Sequence, residues 1–239
     1  MNRIISLVTF LIITSQAYSI VGFGAYGNFD LIKYPSGNVE STNSGVRYDG
    51  FDNAAGFGFL FYIDALPIVD LEADIEFVGN VYKYTPYTLG TDLPEGEMPW
   101  GRVSTYLTAR KEIIGISIPL LAKAQLYGGL GFNKHKVLPI ITLDFIQAAF
   151  PDAADLDAAL TESTSSDAMV EKLADYMLDN VDEISGIHLQ VGMRGKLLMF
   201  NAFVNARYSI AKDVIPGKSG FPSLWCGIAF GIWDSNFIQ

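Results

Sequence analysis

The sequence predicts an all-β protein: an eight-stranded antiparallel up-and-down transmembrane β-barrel with an acidic helical insertion between strands 5 and 6. Three observations predict it. Apolar and polar residues alternate over eight separate stretches, which is the side-chain period of a strand. The more polar parity is dominated by glycine, alanine and serine with a few charges of both signs, which suits a narrow interior better than a solvated surface. Past Ser19 no run of about 18 apolar residues exists, so any membrane crossing must be made by strands.

The stretch Val69–Tyr82 shows the pattern best. Val69, Leu71, Ala73, Ile75, Phe77, Gly79 and Val81 share one parity. Asp70, Glu72, Asp74, Glu76, Asn80 and Tyr82 share the other, with Val78 the exception. An apolar face of that length requires a large apolar environment against it.

Composition narrows the classes. Charge is only 18% and aromatics are 13% of the 239 residues, with 23 glycines. A net charge of −10 disfavours nucleic acid as a partner. The single cysteine, Cys226, excludes an internal disulfide and a cysteine-rich metal cluster. Met1–Ser19 reads as a cleavable secretory signal: Arg3, then apolar Ile4–Thr14, then the small-x-small site Ala17-Tyr18-Ser19. The rest, 20–239, reads as one barrel domain.

Taken in order, Ile20–Tyr34 alternates with Val21, Phe23, Ala25, Gly27 and Phe29 on the apolar face. Pro35–Asp52 reads as a loop. Asn53–Asp64 alternates with Ala55, Phe57, Phe59, Phe61 and Ile63 on the apolar face, and Ala65–Ile68 is a tight turn. After the carboxylate-rich strand, Lys83–Pro99 has three prolines and reads as a loop. Trp100–Glu112 sets Val103, Thr105, Leu107 and Ala109 against Arg102, Ser104, Tyr106, Thr108 and Arg110. Ile113–Leu121 reads as a short connection, and Ala122–Asn133 as the fifth strand.

The period then changes. Leu143–Ser185 recurs at three and four residues, as in Ile146, Ala149 and Phe150 and again in Val170, Leu173, Met177 and Val181, so about two helices are expected. This insert holds eleven acids and one base, which is the whole net charge of the chain. Strands resume with Gly186–Met199, a turn at Phe200-Asn201, Ala202–Ala211, a Gly/Pro loop Lys212–Pro222 and Ser223–Asp234.

The polar parity then forms an expected lumen charge network. Asp70, Glu72, Asp74 and Glu76 face Arg102 and Arg110 on the next strand, with Lys123, Arg194, Lys196 and Arg207 across the interior. A soluble lipocalin-type barrel with an apolar lumen is the competing architecture. Short turns at one end and long loops at the other favour the membrane form. Tyr34, Phe61, Trp100, Trp225 and Trp233 near strand ends are expected to form interfacial girdles.

On this pattern of strands, turns and small inward residues the chain resembles the small OmpA/OmpX-type outer-membrane β-barrels, from Ile20 to about Asp234 without the helical insert. The resemblance implies an outer-membrane address and outer-membrane lipid as surroundings. Members of that group usually end on an aromatic residue, whereas here Phe237 is followed by Ile238 and Gln239. Some such barrels are lipid-modifying enzymes that use a rim histidine with serine and a carboxylate. Their counterparts here would be His135 and His188, with Ser185 and Glu183. The spacing matches no known motif, and no nucleotide or metal motif is present, so no cofactor is expected.

The expected function is therefore a non-enzymatic outer-membrane barrel with a structural or surface-interaction role. Its lumen is filled and charged, and an acidic external cap covers 143–185. The alternatives are a porin-like channel for small solutes, a lipid-binding or lipid-modifying barrel using the outer rim, and a soluble barrel for an apolar ligand. The acidic insert could hold a protein partner, lipopolysaccharide, or a divalent cation bridging to it.

Overall fold

The computed structural model describes residues 21–40, 43–64, 69–118, 122–140 and 175–232. Among them, eleven strands form one antiparallel sheet. They are β1 (Val21–Tyr34), β2 (Gly37–Glu40), β3 (Ser44–Tyr48), β4 (Phe51–Ile63), β5 (Asp70–Thr88), β6 (Thr91–Asp92), β7 (Gly96–Ile118), β8 (Ala122–Val137), β9 (Asp182–Leu197), β10 (Phe200–Ile210) and β11 (Phe221–Ile232). Eight of these pair in a circuit: β1, β4, β5, β7, β8, β9, β10, β11, and back to β1. A closed circuit leaves the ring without an edge strand, so along the shared ladders each strand has a neighbour on both sides.

The register fixes the shape. A row of partners starts at Gly22 and passes Tyr62, Glu72, Thr108, Gly131, His188 and Ser209 to Phe221. Ser223 pairs with Asp30, so the row re-enters β1 at Ile32, ten residues beyond its start. Closure with that stagger tilts the strands by roughly 40° to the barrel axis.

The period-2 pattern places the faces as the sequence implies. On β5, Glu72, Asp74 and Glu76 are buried while Ala73, Ile75 and Phe77 are exposed. Phe57, Phe59 and Phe61 point outward from β4, and Leu189, Val191 and Met193 from β9. Val78, the one apolar residue on the polar parity, is buried in the lumen.

Several element bounds differ from the sequence expectations, each because strand pairing extends past the alternating segment. Pro35–Asp52 is not an open loop: β2 and β3 form a hairpin within it, and β3 pairs with the upper part of β5. The expected loop Lys83–Pro99 is mostly strand. The β5–β7 ladder continues through Lys83↔Glu97 to Tyr84↔Gly96, and Leu89-Gly90 turns with both residues at positive φ. The connection Ile113–Leu121 is likewise strand as far as Ile118. A bulge at Glu112/Ile114 resets the parity so that Ile114, Ile116 and Ile118 follow Leu126, Ala124 and Ala122 on the outer side. The Lys111–Ile118 part of β7 lies beyond its pairing with β5, so the β7–β8 hairpin projects at the short-turn end.

The expected insert ends at Ser185, but β9 begins at Asp182, because Val137↔Asp182 continues the β8–β9 ladder. Of the expected helices, residues 143–174 lie outside the described residues. A single helical turn over 175–179 packs Met177 onto the loop-end core. The turn expected at Phe200-Asn201 falls instead at Leu198-Met199, where Leu198 takes φ 54°, and Phe200 already pairs in β10. β11 begins at Phe221 rather than Ser223, within the expected Gly/Pro loop. The expected signal segment and Trp233 also lie outside the described residues.

Inward glycines make room for rings. At Gly58 a side chain would meet the Tyr26 ring and the carbonyl oxygen of Ile75, 2.7 Å away. At outward Gly195 a Cβ would meet nothing within 4 Å. Gly58→Val should therefore lower the unfolding free energy by about 2 kcal/mol. Gly195→Val should stay within about 0.5 kcal/mol of the parent protein. Reversible urea unfolding in lipid vesicles would check both; equal losses at the two sites would refute the assigned facing.

Candidate functional site

The lumen is filled on two sides. Along β1, β4, β10 and β11 an aromatic cluster gathers Tyr26, Leu60, Tyr62, Phe203, Trp225 and Ala229. Tyr26 and Phe203 lie 4.5 Å and 5.2 Å from Trp225 between ring centroids. Opposite runs a ladder of ion pairs. The strand period aims alternate residues of β5, β7, β9 and β10 at the axis, so acids on one strand meet guanidiniums on others.

Towards the short-turn end, Arg110 and Arg194 both bridge Asp64 and Glu72. Arg110 lies 2.8 Å from Glu72, and Arg194 is 3.3 Å from Asp64 and 3.4 Å from Glu72. Higher up, Arg207 donates to Asp74 at 2.6 Å and lies 3.6 Å from Glu76. Arg102 donates to Glu76 and to Asp30, each at 2.7 Å. Gln190 joins the two halves: its amide nitrogen donates to Glu72 at 2.9 Å and its oxygen accepts from Arg207 at 3.3 Å. Five carboxylates thus face four guanidiniums in a space with almost no solvent contact. Isolated, each charge would be prohibitive there; paired and hydrogen-bonded, they are tolerated. Aromatic faces complete the shell, with Arg207 3.7 Å above Tyr106 and Arg194 4.5 Å above Tyr62.

Of the ten residues assigned to this network by sequence, seven meet in it: Glu72, Asp74, Glu76, Arg102, Arg110, Arg194 and Arg207. Three lie lower. Asp70 is half-buried opposite Arg110, Lys123 pairs with Glu112, and Lys196 is half-buried beside Lys123. Asp30, Asp64 and Gln190 were not assigned to it. Their signal is present in the sequence: Asp30 and Gln190 stand on the inward parity of β1 and β9, and Asp64 continues that of β4 one residue past its end.

The histidines sit elsewhere than expected. His135 and His188 lie within β8 and β9 and point into the lumen, 0% and 1% exposed, not at the outer rim. His135 Nδ1 lies 2.7 Å from Ser104 Oγ and 3.2 Å from an Arg102 nitrogen. A guanidinium can only donate, so Nδ1 accepts and the proton sits on Nε2. His188 Nε2 is 2.9 Å from Thr108 Oγ1. The two rings flank Tyr106. Ser185 and Glu183 share the opposite parity of β9 and are exposed, with Glu183 bridged to Lys134 and Lys136. The structure therefore does not bring these candidates together. The girdle aromatics also divide: Phe61 faces out, whereas Tyr34, Trp100 and Trp225 fall on the inward parity and are core.

At the loop end an apolar cluster caps the lumen. Tyr34 stacks on Phe51, Trp100 meets both at steeper angles, and Met98, Val137, Met177, Val214, Ile215 and Phe221 close around them. Above this cap lies a cleft of about 500 Å³. Its apolar floor includes Val137, Leu138, Ile140 and Val214, and its walls carry Tyr34, Tyr48, Tyr176, Asp182 and Asp213.

No family model matches the chain, and no curated protein does either. Solved structures that align with it include the outer membrane protein OprG from Pseudomonas aeruginosa, at 11% identity over 90% of this chain and 96% of that one, with a TM-score of 0.45. The N-terminal β-barrel domain of Pseudomonas aeruginosa OprF aligns at 10% identity over 89% and 96%, with a TM-score of 0.40. Neisserial surface protein A aligns at 12% identity over 90% and 98%, also with a TM-score of 0.40. These are small outer-membrane β-barrels, the type that the sequence pattern resembles.

Removing Arg207 leaves Asp74 in the lumen without its guanidinium partner and leaves Glu76 with Arg102 alone. Arg207→Met should cost about 3–5 kcal/mol of unfolding free energy. Arg47→Met, at the exposed pair with Asp92, should cost less than about 1 kcal/mol. Adding Asp74→Asn to Arg207→Met should recover part of the loss, measured as a double-mutant cycle.

Proposed function

We propose that the chain is an outer-membrane β-barrel whose filled lumen serves as an anchor and whose loop end is its working surface, without catalysis. The observation that carries this reading is the exterior of the ring. Between outward Lys111 near the short-turn end and Lys33, Asp52, Lys134 and Lys136 near the loop end, no described outward side chain of the ring is charged. That belt carries Phe23, Phe29, Phe57, Phe59, Phe77, Leu107, Leu130, Phe132, Leu189 and Leu224, all more than a third exposed. A patch of that extent on a water-soluble monomer would be an aggregation surface; in hydrocarbon it is the stable arrangement.

The lumen supports the same reading from the other side. Its ion pairs, rings and apolar cap occupy the axis, which opposes a solute channel. A soluble ligand-carrying barrel would require the reverse distribution, with the phenylalanines inside. The address is then the outer membrane and the surroundings its lipid. Ile140 and Tyr176 lie at the loop end, and the acidic stretch between them in the sequence would be what meets lipopolysaccharide, a divalent cation or a protein.

The protein should fractionate with membranes and run as a heat-modifiable, detergent-stable band, with no stable conductance in planar bilayers. Recovery in the aqueous fraction without detergent would overturn the membrane reading. A steady open conductance would overturn the filled-lumen reading.

A further inference from the structure

The loop-end cleft has a chemistry of its own. Tyr34 closes β1, Val137 closes β8 and Asp182 opens β9, so the cleft sits at the strand tips, past the uncharged belt and in contact with water. Its volume, about 500 Å³, is that of a small-molecule site. Three phenol rings and two carboxylates stand over an apolar floor, and no lysine or arginine is among the lining residues. Asp213 has a distant basic neighbour, Lys212, at 3.8 Å, and that lysine is 84% exposed. Among the described residues no basic side chain bridges Asp182, whose carboxylate is exposed at the rim.

An aromatic wall attracts a cation through the negative ring face, and an unneutralised carboxylate beside it adds Coulombic attraction. The chain supplies a wider field of the same sign. Ile140 and Tyr176, which flank residues 141–174 in sequence, both line the cleft. That segment carries seven acids and one base. With a net charge of −10 the chain as a whole draws cations towards it and repels anions. The floor of valine, leucine, isoleucine and proline adds a preference for a ligand with an apolar part.

We propose that this cleft is a binding site for a small water-soluble organic cation, an ammonium or quaternary ammonium group joined to an apolar or aromatic body. The charged head lies between Asp182 and the tyrosine rings, and the body rests on the Leu138–Ile140 floor. This rests on the proposed orientation only in placing the cleft in water. It names the ligand class for the surface role proposed above.

The test uses the full-length protein folded in detergent, with benzyltrimethylammonium as the probe and isothermal titration or saturation-transfer NMR as the readout. Benzyl alcohol and benzoate carry the same ring with no charge and with the opposite charge. The cation should bind at least about tenfold more tightly than either. Asp182→Asn and Tyr176→Ala should each weaken it by roughly tenfold, while Glu95→Gln, on the distant β5–β7 hairpin, should leave it unchanged. Heat-modifiable mobility of every variant reports the barrel independently of binding. Equal binding of benzyl alcohol, an unaffected Asp182→Asn, or no binding at 10 mM probe, a level on the order of the weakest useful affinity, would overturn the proposal while the barrel itself stands. Binding retained by a protein that is not heat-modifiable would support the site and overturn the membrane reading instead.

Discussion

Each strand of the ring must satisfy two media at once, and a side-chain period of two residues is how it does so. One parity meets an apolar exterior, and the other meets a crowded tube. Every feature of the lumen follows from the narrowness of an eight-strand ring with this stagger. Rings such as Tyr26 and Tyr62 fit only because Gly58 and Gly22 lie beneath them. The guanidiniums fit because they lie over the faces of Tyr62 and neighbouring rings. Carboxylates are then needed to balance them, and β5 supplies three in register. A shift of β5 by one residue would send all three outward at once, so the ion ladder and the register specify each other.

The ladder also explains why the interior is polar although the whole exterior is apolar. A lumen packed with leucine would give the strands two similar faces, and nothing would distinguish inside from outside. Buried ion pairs add little to stability, but they penalise every arrangement that separates them. Arg102, Arg110, Arg194 and Arg207 each bridge two carboxylates; the first three each tie three strands or strand ends together, and Arg207 ties β10 to β5 twice. Gln190, with one donor group and one acceptor used, connects the halves without adding charge.

Much of this was legible in the sequence because parity is local. Which face each residue of the eight ring strands takes can be read from its immediate neighbours, Val78 included. Ends were less legible, because a strand stops where its partner stops. Lys83–Thr88 and Gly96–Pro99 look like loop by composition yet continue as a ladder because each stabilises the other. Aromatic position misled for a related reason. Tyr34, Trp100 and Trp225 lie near strand ends, as a girdle would, but their parity points them inward. The alternation of β8 ends at Asn133, which would leave His135 at the rim; four further residues of pairing enclose it. The cleft at the loop end had no signal at all. It is assembled from β1, β3, β8, β9 and two connections that only the closed ring brings together.

The projecting β7–β8 hairpin makes the hem of the molecule uneven. Ile113, Ile114, Ile116 and Ile118 continue the greasy coat below the level at which β4 and β5 turn back. In the membrane setting proposed above, a bilayer could not follow a step on one side of so slim a cylinder at no cost. It must pucker beneath the isoleucines, or the cylinder must lean towards them, at fractions of a kcal/mol for each ångström of disparity. A lean of that kind would present the mouth of the molecule obliquely, raising one lip above the lipid and lowering the other.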